Sequence, residues 1–211
     1  MNIFALHPNP RKCARWHVDK HVVKMILETC QLLYTAHWVL AYPALRDYAS
    51  VVALSRFQKT LSPPPSMLTA PPAKATNAVF RPVHVRHPCA KWARQTLGNY
   101  KWLALLGLEL AREFRHRFGH EHACETHVQW LFHHPPPTIL KFPRISFSIA
   151  MDSQYKISED PIRSYRNYYR TSKAERGLIQ YTRRGVPHWL VVESSAPHTP
   201  RVESSTPHTP R

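Results

Sequence analysis

Between residues 14 and 40 the apolar positions Val18, Val22, Met25, Ile26, Thr29 and Leu33 recur at three- and four-residue steps, with no Pro or Gly among them. That spacing predicts one long helix with a single face turned to a core. A second long helix is predicted from His87-Pro88, where Pro occupies a tolerated first-turn position, to about Phe118, where Gly119 can end it. Trp92, Asn99, Leu103, Leu106 and Leu110 share one face of it. Shorter helices are predicted over about 125–132, stopped by the run HHPPP, and over about 160–173. The stretch 61–86 is Pro-rich and aperiodic, which predicts a mobile loop or insertion. The pattern as a whole predicts a mainly α protein. It gives one compact multi-helix domain over 1–190, interrupted by that insertion and followed by a tail, 191–211.

Composition sharpens this picture at three points. The tail repeats itself, VESSAPHTPR over 192–201 and VESSTPHTPR over 202–211, and so Ser/Thr/Pro-rich a segment predicts disorder because it buries too little apolar surface to offset ordering entropy. There are 29 Lys and Arg against 13 Asp and Glu, a formal charge of +16, which calls for a polyanionic partner. Nucleic acid is the expected polyanion, DNA before RNA, with binding that weakens steeply as salt rises. A membrane is the rival, but the chain has no apolar run of about 18 residues and no signal-peptide pattern, so an intracellular, non-secreted protein without membrane attachment is expected. Cys13, Cys30, Cys89 and Cys124 are scattered and form no C-x-x-C pair, and are read as free thiols. Oligomeric state is not legible.

The candidate chemistry lies on the first predicted helix, where His17, His21, Lys24 and Glu28 follow at steps of four, three and four along the edge of the apolar face. A partly shielded Glu28 suits general acid or base work, tuned by a nearby lysine and imidazole. The competing reading is a solvated helix edge in which Lys24 and Glu28 form an ordinary i, i+4 ion pair. Histidines four apart also suit a metal, with His87, His120 or His122 as a further ligand, but there is no H-E-x-x-H, so no metal or other cofactor is expected. Elsewhere Trp92, Tyr100, Trp102, Tyr165, Tyr168 and Tyr169 are interleaved with Lys91, Arg94, Lys101, Arg163, Arg166 and Arg170, a mixture that suits base stacking with phosphate contact. Trp92 and Trp102, beside leucines, are expected in the core, whereas the segment from Tyr165 to Arg170 is expected to be too polar for full burial. The Glu113/Arg117 pair reads as a plain helix ion pair. Neither a phosphate-cradling glycine loop nor a G-x-S-x-G elbow is present, against a nucleotide hydrolase or a serine hydrolase.

The stretch DKHVVKMILETCQLL (Asp19 to Leu33) resembles the pattern D-K-H-V-V-K-M-x-L-E-x-x-Q-L-L of a family of small proteins encoded mostly by phages and large DNA viruses. The resemblance continues in HPCAKWAR (87–94), NYKWL (99–103), YRNYY (165–169) and VPHWL (186–190), spanning most of the chain outside the insertion and the tail. More distantly, the first helix is similar to that of the pyrimidine-dimer DNA glycosylases with lyase activity, the endonuclease V type. This similarity implies an all-helical enzyme that works on duplex DNA without a cofactor and kinks it. It makes Glu28 the catalytic carboxylate and His21 a DNA contact, with Lys24 beside them. It also implies an amine nucleophile that forms a Schiff base with the sugar. In those enzymes the nucleophile is the α-amine of a small residue exposed by loss of the initiator Met. This chain instead begins Met1-Asn2, which makes Met1 the nucleophile unless Lys20 or Lys24 is activated. His17, Lys20, His87, Lys91, Arg94, Asn99, Tyr165, Arg166 and Tyr169 are the expected nucleic-acid contacts. Two other functions fit the same residues: another viral enzyme acting on bases or nucleotides, for instance in thymine modification, or a nucleic-acid-binding protein without catalysis.

Overall fold

The computed structural model describes residues 2–47, 51–73 and 78–191. Met1 and the decapeptide repeat, 192–211, lie outside the described residues. The fold is mainly α, as the apolar spacing predicts; among the described residues it has seven α-helices, where the spacing predicts four, and no strand. They are α1 (Pro10–Trp16), α2 (Asp19–Ala41), α3 (Val51–Thr60), α4 (Pro88–Ala93), α5 (Leu97–Phe118), α6 (Glu125–His133) and α7 (Pro161–Tyr168), the last continued by a π-helical turn, Tyr169–Lys173. Helix α5 is the central element and packs on α1, α2 and α6. Gly107 makes that closeness feasible, since a β-carbon there would sit 2.9 Å from both Thr29 Cγ2 on α2 and Val128 Cγ1 on α6. Gly119, at φ 80°, closes α5 in the left-handed conformation expected from its position.

Both predicted long helices are broken, and in each case distant groups take the hydrogen bonds that a continuous helix would keep. At the first break Arg117, fully buried on α5, donates from Nη2 to the Arg15 carbonyl (3.0 Å) and from Nη1 to that of His17 (2.9 Å). Unbroken helix would give those carbonyls to the amides of Asp19 and His21. Instead the Asp19 amide donates to the Gln180 carbonyl and α2 starts afresh. At the second break the amides of Leu97 and Gly98 donate to the carbonyls of Leu140 and Phe142, and Thr96 Oγ1 accepts from the Asn99 amide. The strap carrying those carbonyls, 139–147, crosses so close that a β-carbon on Gly98 would lie 2.1 Å from the Arg144 nitrogen.

The described parts of the Pro-rich stretch, 61–73 and 78–86, are packed against the helices. They wrap the outer face of α2: Met67 and Val85 are buried, Phe80 stacks on Tyr34 at 5.2 Å, and Trp38 Nε1 donates to the Phe80 carbonyl. Thr35 Oγ1 both donates to the Val83 carbonyl and accepts from its amide. Prolines here remove backbone donors that such a covering segment would otherwise leave unpaired.

Candidate functional site

The N-terminal part of α2, the entering chain and the π-helical turn line a half-open cavity of about 440 Å³. Lys20, His21, Lys24 and Glu28 on α2 form one wall, Asn2 and Phe4 a second, and Ala150–Asp152, Tyr168, Lys173 and Arg176 the rest. Three of the four residues in the predicted stripe therefore meet in one cavity. His17 does not reach it: the break after α1 turns it inward, where its Nδ1 pairs with the Cys13 carbonyl at 2.7 Å. Lys20 takes its place in the wall.

Glu28 is nearly buried, and both carboxylate oxygens are engaged. The Asn2 amide donates to Oε2 at 2.9 Å, and Lys24 Nζ lies 2.8 Å from Oε1. The ordinary i, i+4 pair is thus present, but with one end inside a cavity and the chain entry bonded to the same carboxylate. Asn2 is itself fixed, its Nδ2 donating to the Ala150 carbonyl and its Oδ1 accepting from Tyr165. The predicted nucleophile Met1 lies outside the described residues; Asn2, the residue after it, lines this cavity.

His21 stacks on Phe4 at 4.2 Å and its Nδ1 lies 2.6 Å from the Tyr169 hydroxyl. Burial pushes its pKa far down, helped by His17, Lys173, Lys24 and Lys20, so the ring is neutral and orients rather than carries charge. Lys173 is a side chain that sequence reasoning missed. It is buried at the cavity edge, its Nζ 4.9 Å from the Tyr168 ring and 5.9 Å from that of Phe4. No carboxylate pairs with it among the described residues. Only the π-helical wind of 169–173 turns it inward, and that turn has no signature in the apolar spacing.

The other predicted contact residues are dispersed. Tyr165 and Tyr169 are fully buried, correcting the expectation that their segment is too polar for it. Tyr165 bonds Asn2, Ser148 and Ala150, and Tyr169 bonds His21, so both position the cavity wall and neither presents a ring to a ligand. Asn99 is buried as well, joining the α4 to α5 break by donating to the Trp92 carbonyl and accepting from the Ile145 amide. Arg166 lies 5.0 and 5.4 Å from the Trp16 and Trp189 rings and donates to the Leu6 carbonyl. Lys91 is exposed, and His87 and Arg94 are half-buried on or beside α4. Trp92 and Trp102 are in the core as expected.

Glu113 and Arg117 form more than a helix pair. Arg117 also bonds Asp19 at 2.8 Å, and Arg184 grips both Glu113 oxygens at 2.8 and 2.9 Å, tying α5, the start of α2 and the segment after the π-helical turn together behind the cavity. All four cysteines are buried free thiols. Among the described residues no group of three or more His, Cys, Asp and Glu is placed to hold a metal ion, and no helix is long and apolar enough to cross a membrane. A pocket with one buried carboxylate, several amines and a neutral imidazole is equipped for proton transfer and for amine addition to an electrophilic carbon. Family models, curated proteins and solved structures contain no match to this chain.

Proposed function

We propose that the protein is a DNA base-excision enzyme, a glycosylase with lyase activity of the pyrimidine-dimer type. The observation that carries this reading is the placement of Glu28, nearly buried in a cationic cavity with an amine 2.8 Å from one oxygen and the entering chain bonded to the other. In the reaction an uncharged amine attacks C1′ of the damaged nucleotide, and the glycosidic bond breaks with its electron pair leaving on the base, which takes up a proton from water. The Glu28 carboxylate accepts the proton that the attached amine gives up and passes it to the ring oxygen as the sugar opens to a protonated imine. As a carboxylate it removes a C2′ proton, the C3′–O bond breaks, and the 3′ phosphate departs; water releases the enzyme from the imine. The amine is the α-amine of Met1, which reacts more readily at neutral pH than a lysine of ordinary pKa, about 8 against about 10. Lys20, Lys24 and Lys173 are the alternatives within the cavity wall.

Glu28→Gln tests the role of the carboxylate. It removes the proton-transfer group but keeps an acceptor for the Asn2 amide, so strand cleavage at a thymine dimer falls at least about 100-fold while duplex binding holds or tightens. Unchanged cleavage removes Glu28 from the chemistry. The rival reading, simple nucleic-acid binding with Lys24–Glu28 as a structural pair, predicts no cleavage by either form.

A further inference from the structure

The cavity does not use one of the most unusual surfaces of the molecule. Along the strap, Ile139 and Phe147 are buried anchors, Phe147 packing on Trp92 and Trp102, while Leu140, Phe142 and Ile145 between them are 58%, 61% and 40% exposed. An apolar triplet on a surface segment is unremarkable when the segment can fold it away. This one cannot. Its carbonyls at Leu140 and Phe142 cap α5, its Ile145 amide donates to Asn99 Oδ1 at 3.0 Å, and Trp92 Nε1 holds the Ser146 carbonyl at 2.7 Å. Gly98 admits it at a distance that no other residue would allow. The backbone is fixed, and the apolar side chains are held out in water.

The same strap is cationic. Lys141 and Arg144 alternate with the apolar residues and both are exposed; Arg144 lies over the Phe147 ring at 4.4 Å. From 126 to 151 the chain has no Asp or Glu. Lys91 is exposed on α4, the helix whose Trp92 holds the strap. Downstream the strap runs directly into Ala150–Asp152 on the cavity wall. At no more than about 3.6 Å per residue, Phe142 lies within about 30 Å of Ala150, less than one turn of duplex at roughly 34 Å.

We infer that the strap is a nucleic-acid wedge: Phe142 and Leu140 insert between base pairs of duplex DNA while Lys141 and Arg144 hold the flanking phosphates, opening the stack within one duplex turn of the nucleotide that enters the Glu28 cavity. Apolar side chains inserted at a base step unstack it and bend the duplex, and cations at either side supply the attraction that offsets the unstacking. The inference rests on the excision reading for its ligand, though not for its chemistry. An anionic lipid surface would also accept apolar and basic side chains. Duplex DNA is favoured because the strap is continuous with a half-open cavity lined by Lys20, Lys24, Lys173 and Arg176, a recess that suits an extruded nucleotide and that a flat bilayer would only cover.

A duplex carrying 2-aminopurine beside a thymine dimer tests the wedge, read by base fluorescence and by anisotropy. The wild-type protein is expected to raise the emission on binding. Leu140→Ala/Phe142→Ala is expected to lose that rise and bind roughly tenfold more weakly, with an unchanged salt slope because the cations remain. Phe142→Leu, which keeps apolar bulk, restores most of the rise. Equal emission and affinity for wild type and the double variant would overturn the wedge while leaving excision intact if cleavage persists. Loss of wild-type binding to any duplex would overturn both. Flotation of the wild type but not the double variant with phosphatidylserine vesicles, at unchanged duplex affinity, would assign the strap to lipid instead. Both substitutions are at exposed positions, so the thermal midpoint serves as the check on folding.

Discussion

Arg117 shows how one side chain decides local structure. It is fully buried, yet it bonds two carboxylates and two carbonyls, and the carbonyls it takes are those whose loss ends α1. Arg117→Met keeps much of the volume but leaves Glu113 and Asp19 with fewer partners and the α1 terminus uncapped. Removing one member of a buried ionic group costs about 3–5 kcal/mol, so the urea midpoint should fall severely, whereas a loss under about 1 kcal/mol would show the network to be dispensable. The sequence contains Glu113 and Arg117 four apart, and that much was legible as an ion pair. Their partners Asp19 and Arg184 lie far off in the chain, and no spacing rule reports them. Glu28, Lys24 and His21 were legible as a site because a single helix presents all three. Lys173 and Phe4 were not, because each enters the cavity through local geometry that leaves no period in the sequence.

At the scale of elements, the core helices are legible, whereas α3 and the interruptions are not. Apolar spacing places α2, α5 and α6 well, and Gly119 ends α5 where its lack of a side chain predicts. It misses the breaks after Trp16 and Ala93, because backbone amides and carbonyls there are satisfied by Arg117 and by the strap, at a distance in sequence. The packing of the described parts of the Pro-rich segment is not legible for a related reason: it comes from α2, through Trp38, Thr35 and Tyr34, and prolines alone announce only the absence of helix. Gly107 carries the closest approach of α5 to its neighbours. Gly107→Ala forces a methyl group to 2.9 Å from Thr29 and Val128 side chains. Against the usual gain of alanine in a helix, overpacking of about 1–3 kcal/mol wins. Calorimetry should show a lower melting temperature; a higher one would mean that α2 and α6 move apart freely.

At the scale of the whole molecule, buried imidazoles link stability to pH. Burial holds His17 near a pKa of about 4 and His37 near about 3, and His21 lower still, with His17, Lys173, Lys24 and Lys20 reinforcing the shift at His21 and Arg117 that at His17. The unfolded chain protonates these rings below about 6.5, and the folded protein does not. Their contribution is therefore complete above pH 6.5 and is lost as pH falls toward the folded values, at about 1.4 kcal/mol per pH unit for each ring. Asp19 and Glu113, held below the ordinary carboxylate range by Thr182, Arg117 and Arg184 against the opposing effect of burial, keep their contribution until lower pH. Urea midpoints should hold above pH 7 and drop steeply between 6 and 4.5; a flat profile there would mean that the histidines are solvated.

The proposal of excision chemistry through an amine rests on the charge of +16 and on the half-open, cationic cavity around Glu28. The most direct test is borohydride trapping on a labelled duplex containing one thymine dimer, beside an undamaged control. The account predicts a covalent adduct confined to the damaged duplex, mapped to an amine of the Glu28 cavity. Tight, salt-sensitive binding to both duplexes with no adduct on either would contradict it.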